Sequence, residues 1–196
     1  MSLAVVLLRA AVTCVLAVGA ATLRADEAGQ ASLKLLNEPG HFLIMRHALA
    51  PGIGDPENFK LDDCETQRNL SDDGRAQARR LGEALRAAGI KVAQVYSSRW
   101  CRCLETARLL DVGPVTPLET LNSLRGRPGE SPAQMEQLRA DIDAMDLAKP
   151  TVLVTHQVVI SALTGKPTGS GDGLVVKRLP DGRLEIAGAV PGQASQ

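Results

Sequence analysis

The sequence predicts a three-layer α/β/α fold with a mostly parallel sheet and an antiparallel hairpin at its C-terminal edge. Three observations carry this expectation. Short, continuously apolar runs at 41–46 (HFLIMR) and 151–155 (TVLVT) suit strands buried on both faces. Capped, amphipathic helical segments alternate with such runs, the pattern of βαβ units. Near the C-terminus, Pro180-Asp181-Gly182-Arg183 separates two short apolar segments and reads as a hairpin turn.

Taken in order, residues 1–25 form an apolar stretch interrupted only by Arg9 and closed by small residues and Arg24. This reads as a secretory signal, with cleavage after Ala25 or, alternatively, after Ala20 or Ala21. An uncleaved membrane anchor is the other reading, because about 20 apolar residues span a bilayer. Residues 26–39 are a polar, partly helical lead-in, 40–190 the domain and 191–196 a tail. After the first strand, residues 48–70 read as loop. Ser71 is placed as an N-cap with Asp72 and Asp73 in the first turn, and Ala76, Leu81, Leu85 and Ala88 form the apolar face of a helix ended by Gly89. A second strand is expected over 92–97, a helix over 100–110 with Leu104, Ala107 and Leu110 inward, and a third strand over 115–118. A loop over 122–131 precedes a helix from Ser131-Pro132 to about Asp146. The strand at 151–155 leads into a short helix over about 158–164, and the hairpin strands lie at 175–179 and 184–187.

Bulk properties narrow the function classes. The chain has 196 residues, enough for one domain with a real core, with 44% hydrophobic and 22% charged residues. Net charge is +0 and aromatics are 2%, which argues against a basic nucleic-acid-binding domain or a base-stacking platform. Export would remove Arg9 and Arg24 and no acid, taking the net charge from +0 to −2. Cys64, Cys101 and Cys103 would then remain. In an oxidising compartment Cys64 is expected to pair with Cys101 or Cys103, leaving one thiol. A zinc site is not expected, since the C-x-C lacks a fourth ligand.

Ligands in such sheets sit at the carboxyl ends of the strands. Arg46-His47 follow the first strand, Ser97-Ser98 with Arg99 and Arg102 the second, and His156 the fourth. Two histidines and several arginines at one rim are phosphate chemistry: guanidinium forks match phosphoryl oxygens, and an imidazole can attack phosphorus. No P-loop or dinucleotide glycine motif is present.

At these residues the sequence resembles the histidine phosphatase superfamily. The motifs are Met45-Arg46-His47-Ala48, Asn69-Leu70-Ser71-Asp72-Asp73-Gly74-Arg75-Ala76-Gln77-Ala78, Ser97-Ser98 through Arg102 to Thr106-Ala107, and Val152-Leu153-Val154-Thr155-His156. They run in family order over about residues 40–165. Cys64, Gln67-Arg68-Asn69-Leu70, Cys101-Arg102-Cys103 and Leu121-Asn122-Ser123 are most similar to its small exported bacterial branch. The resemblance implies a metal-independent phosphatase without a cofactor. His47 attacks phosphorus and becomes phosphohistidine, while Arg46, Arg102 and His156 hold the phosphoryl oxygens. His47 is expected to donate its other ring N–H to a backbone carbonyl. Arg125 and Arg127 are candidate contacts for an anionic substrate, and Gln67 and Arg68 are placed evenly between site and scaffold. Ser97 and Ser98 are expected to cap the helix carrying Arg102, Arg99 to be a surface charge at its start, Trp100 to pack in the core or rim, and His41 to lie at the surface or a strand start.

One departure matters. Ser123 stands where many members carry a glutamate acid, and Gln157, not aspartate, follows His156. Glu65, Asp63 and Glu119, together with Asp62, are the candidate proton donors. The expected partner is a small phosphorylated substrate, a phosphomonoester (a sugar or lipopolysaccharide phosphate) or a phosphoramidate. The chain is expected to work in the periplasm or as a secreted protein, without nucleic acid and without a stable membrane span after processing. A catalytically weak phosphate- or glycan-binding envelope protein is the alternative. A mutase is disfavoured by the absence of long insertions.

Overall fold

The computed structural model describes residues 27–124 and 131–192. The predicted signal segment, Arg125, Arg127 and the last residues of the tail lie outside the described residues. Helix α1 (residues 27–34) and a 3-10 turn, Leu35–Asn37, lead into β1 (His41–Arg46). There follow α2 (Asp72–Ala87), β2 (Gln94–Ser97), α3 (Cys101–Leu110), β3 (Val115–Pro117), α4 (Ser131–Ala144), β4 (Thr151–Thr155), α5 (Gln157–Thr164), β5 (Gly173–Arg178) and β6 (Leu184–Val190).

The sheet order is β3-β2-β4-β1-β5-β6. The first four strands are parallel, and β5 and β6 add antiparallel pairs at one side. Strand periodicity builds the layers. In β1, Leu43 and Met45 face the core shared with α1, α2 and α3, whereas Phe42 and Ile44 face that of α4 and α5. β4 divides likewise, with Val152 and Val154 on one side and Leu153 on the other. Burial on both faces is why these strands have no polar positions to alternate.

The α2 cap forms as expected, with the Ser71 Oγ accepting from Gly74 N at 3.1 Å and Gly89 at positive φ beyond the helix. Its inward face differs in one place. Ala78 is buried with Leu81 and Leu85, whereas Ala76 is only half-buried. The inward stripe is set by Gly74 and Gly82, where a Cβ would lie 2.1 Å from the Leu49 and Leu110 carbonyl oxygens. Two close backbone approaches therefore rotate the helix about its axis. The 26–39 segment is more than a lead-in, because Leu33 and Leu36 are buried in the main core. His41 is buried at the start of β1, where its Nδ1 lies 3.2 Å from the Glu38 carbonyl. β2 begins at Gln94, leaving Val92 exposed ahead of it. The hairpin turn closes through Leu179 N to Arg183 O at 2.8 Å. Among the described residues, no helix is long and apolar enough to cross a membrane.

Candidate active site

β1 and β4 are parallel neighbours, and Arg46 stands opposite Thr155. The residue following each strand is therefore brought to the same rim. His47 N donates to Thr155 O at 2.9 Å, and its carbonyl accepts from Gly171 N at 3.1 Å, so its backbone is fixed from two sides. The rings of His47 and His156 meet edge to face with centroids 5.6 Å apart.

Each histidine has one nitrogen engaged. His47 Nδ1 lies 2.8 Å from the Ala48 carbonyl, which accepts only if Nδ1 carries the proton. Nε2 is then the nitrogen with a lone pair. Ala48 is itself held by its N–H to Thr106 Oγ1 at 3.0 Å, and that hydroxyl donates to Arg102 O at 2.7 Å. His156 Nε2 lies 2.9 Å from Ser98 Oγ and 3.5 Å from Cys103 Sγ, leaving Nδ1 for a ligand.

A cavity of about 260 Å³ opens here, lined by Arg46, His47, Arg68, Arg102, Ser123 and His156, with the Gly52-Ile53-Gly54 segment at its edge. Three guanidinium groups surround two imidazoles. Burial, reinforced by Arg102, Arg46 and Arg68, lowers the His47 pKa to about 3 despite the Ala48 bond. Burial first, and then Arg102, likewise holds His156 well below its ordinary value. Both rings are neutral near pH 7, the form in which His47 can act as a nucleophile.

Of the sequence-predicted residues, Arg46, His47, Arg102, His156 and Arg68 converge on this cavity. Gln67 instead holds the loop, donating to the Lys60 and Leu61 carbonyls and accepting from Cys101 N. The candidate proton donors do not reach it. Asp62 and Glu119 pair with Arg99 at 2.7 and 3.1 Å, with all three side chains at the surface. Asp63 caps the short turn Cys64–Thr66, accepting from Glu65 N at 3.2 Å, and Glu65 is exposed. The described residues lining the cavity include no carboxylate. Ser98 is not a helix cap: α3 has Trp100 in that position without a side-chain bond, and the Ser98 hydroxyl joins His156 to Asn122 Oδ1 at 3.2 Å. Trp100 packs edge-on to His156 with centroids 5.3 Å apart.

Cys64 pairs with Cys101, and Cys103 is free and buried. The bridge ties the loop after β1 to the first residue of α3, beside Arg102. Burial pushes the Cys103 thiol up to about 12, so it sits against His156 as a neutral group. Asp55 is not singled out by the sequence. Its carboxylate meets Arg102 at 2.7 and 3.2 Å, and in a loop with many carboxylates nothing in its immediate neighbours marks it.

Residues 42–129 match the sequence model of the histidine phosphatase superfamily (branch 1). Over these residues the chain has the sequence of a histidine phosphatase superfamily domain. Its class is therefore that of a hydrolase acting as a phosphatase. Solved structures of similar fold include the protein histidine phosphatase SixA complexed with tungstate, at a TM-score of 0.59 and 15% identity over 78% of this chain and 97% of that one. A putative alpha-ribazole-5'-P phosphatase from Escherichia coli K-12 has a TM-score of 0.57 and 16% identity, covering 81% and 100%. The mycobacterial glucosyl-3-phosphoglycerate phosphatase has a TM-score of 0.54 and 16% identity, covering 79% and 99%. At these identities the likeness is one of fold. No curated protein matches the sequence.

Proposed function

We propose that this histidine phosphatase hydrolyses a small phosphorylated substrate through a phosphohistidine on His47, with no metal ion taking part. The observation that carries the reading is the pairing of ring nitrogens. Nδ1 of His47 is committed to Ala48 O, so Nε2 presents its lone pair among Arg46, Arg102, Arg68 and His156. Nε2 attacks phosphorus, the bond from phosphorus to the leaving group breaks, and the leaving group takes the electron pair. Water then attacks the phosphohistidine, the P–N bond breaks, and inorganic phosphate departs. The arginines supply the positive charge that the phosphoryl oxygens need, work that a divalent ion does in other phosphatases.

The absence of a carboxylate from the described cavity lining bears on the substrate. An alkyl phosphate ester without a general acid loses on the order of 10²–10⁴ in rate. A phosphoramidate, or an ester with a good leaving group, escapes that loss. We therefore favour a phosphoramidate such as a phosphorylated imidazole over a sugar phosphate. The same observation supports the second reading, a phosphate-binding envelope protein of low turnover.

The Cys64–Cys101 disulfide and the apolar N-terminal stretch support export to an oxidising compartment, the periplasm or the exterior. The test is phosphate release by the purified protein with EDTA, across aryl, sugar and phosphoramidate substrates, with His47→Ala as control. Turnover lost in the variant, together with acid-labile label on His47 in the parent, supports the mechanism. Oxyanion binding without turnover of any substrate supports the binding protein instead.

A further inference from the structure

Arg102 lies in the core of the site with 3% of its surface exposed, so every N–H of its guanidinium must be accounted for. Nη1 donates to Asp55 Oδ1 at 2.7 Å and to the Arg68 carbonyl at 3.3 Å. Nη2 donates to Asp55 Oδ2 at 3.2 Å. Among the described residues the buried Nε has no partner. Three of the five hydrogens are thus engaged at the end of the group. The Nε–H and the second Nη2–H remain, and these two lie on one edge of the planar fork with the spacing of two oxygens on phosphorus. An unpartnered buried donor is destabilising and is retained where a ligand satisfies it.

Asp55 is built for this contact. Its Oδ1 also accepts from Arg68 N at 3.1 Å and its Oδ2 from Trp100 Nε1 at 3.1 Å. Four donor groups from three residues of two separate segments converge on one carboxylate, whose side chain is 11% exposed. Burial alone would raise its pKa, but the bonds and charge of Arg102, with Arg68 and Trp100, hold it below the usual carboxylate range. It is an anion, not a proton donor. Nor is it among the residues lining the cavity of His47.

We propose that Asp55 is a positioning residue of the phosphate site. By occupying the end of the Arg102 guanidinium, it turns the Nε–Nη2 edge toward the phosphoryl group and keeps it there between turnovers. This rests on the reading of the cavity as a phosphate site, not on turnover. The opposite arrangement, a carboxylate standing in the place of the substrate and competing with it, predicts the opposite sign.

The experiment measures tungstate affinity by calorimetry, and hydrolysis of the best substrate found, for the parent, Asp55→Asn, Arg102→Ala and the double variant. The expected result is a loss in Asp55→Asn of roughly tenfold to a hundredfold in tungstate affinity and in kcat. The same substitution on the Arg102→Ala background is expected to add almost nothing, because its whole effect passes through that guanidinium. A merely structural role would lower the melting temperature and act additively. Tighter tungstate binding in Asp55→Asn, unchanged affinity, or full additivity overturns the proposal. If Asp55→Asn fails to fold, the parent decides: the Arg102 Nε–H resonance must shift on titration with tungstate, and an unmoved resonance in a protein that binds tungstate overturns it. A parent that binds tungstate but hydrolyses nothing leaves Asp55 testable by affinity while the proposed activity fails. Hydrolysis undiminished in Asp55→Asn sinks the role of Asp55 alone.

Discussion

His47 and His156 are buried against each other at 5.6 Å between ring centres, and among the described residues no carboxylate lines their cavity. Protonating either one places a cation among Arg46, Arg68 and Arg102. The unfolded chain takes up these protons near pH 6.5, whereas folded His47 resists until about 3 and His156 is also strongly depressed. Their contribution to stability is therefore complete above about pH 6.5 and is lost as the pH falls toward the folded values. The slope is up to about 1.4 kcal/mol per pH unit for each histidine. Melting temperatures between pH 7.5 and 4.5 are expected to fall steeply in the parent and less so in His47→Asn. A flat profile would contradict the burial of two neutral imidazoles.

The Ser98 hydroxyl lies within reach of both His156 Nε2 and Asn122 Oδ1. When it donates to Nε2, the proton of the neutral ring moves to Nδ1, which can then donate to a phosphoryl oxygen. Ser98→Ala removes that control of the tautomer. Its kcat is expected to drop about tenfold or more, beside a stability loss of about 1–3 kcal/mol from the buried groups left without a partner. Steady-state kinetics beside a thermal melt separates the two effects.

Asp62 and Glu119 flank Arg99 at the surface. Such exposed, solvent-screened pairs contribute little. Asp62→Asn, Glu119→Gln and Glu65→Gln are each expected to leave kcat/KM within about twofold on every substrate. A hundredfold loss on ester substrates alone, in any of the three, would restore that residue as the general acid.

The Cys64–Cys101 bridge closes a separation of 37 residues that contains the whole of α2 and the start of the site helix. Its loss in the Cys64→Ser/Cys101→Ser variant is expected to cost about 2–4 kcal/mol. Tungstate affinity should weaken as well, because Arg68 sits on the segment the bridge anchors. Denaturant melts and calorimetry on the oxidised parent and the variant measure both.

Gly82→Ala forces a methyl group onto the Leu110 carbonyl, from which an ideal Cβ would lie only 2.1 Å away. In an open helix this change is stabilising by about 1 kcal/mol. Here the expected sign is reversed, with a loss of about 2 kcal/mol or more as α2 lifts from the end of α3. A melt reads the sign directly.

Legibility tracks the range of the interaction. β1 and β4 can be read to the residue because burial on both faces leaves an unbroken apolar run. Ser71 can be read because a cap acts over three residues. Arg46, His47, Arg102 and His156 are legible as a group because each sits at or just past a strand end or within the helix that follows one. Asp55 is not, since its four donors come from Arg68, Trp100 and Arg102, 13 to 47 positions away. The same distance hides the pairing of Asp62 with Arg99, 37 residues apart, and makes an ion-paired carboxylate look available. Ser98 reads as a cap from its position, but its hydroxyl, which accepts from Trp100 N at 3.3 Å, also meets a histidine 58 residues on at 2.9 Å.

The alignment of Arg46 with Thr155 divides the molecule into parts with different freedom to change. The two imidazoles follow directly on the paired residues Arg46 and Thr155 at the end of one ladder, so inserting a single residue into either strand would point one of them to the far side of the sheet. Residues 48–70 are under no such rule, since they leave the ladder immediately after His47 and only some of them line the cavity. Asp55, Cys64, Gln67 and Arg68 tie that loop to Arg102 and α3, so new substrates are accommodated by changing the exposed positions between these ties while the reacting atoms stay in place. An engineer would accordingly vary Ile53, exposed at the cavity edge between two glycines of positive φ, and leave both strands untouched.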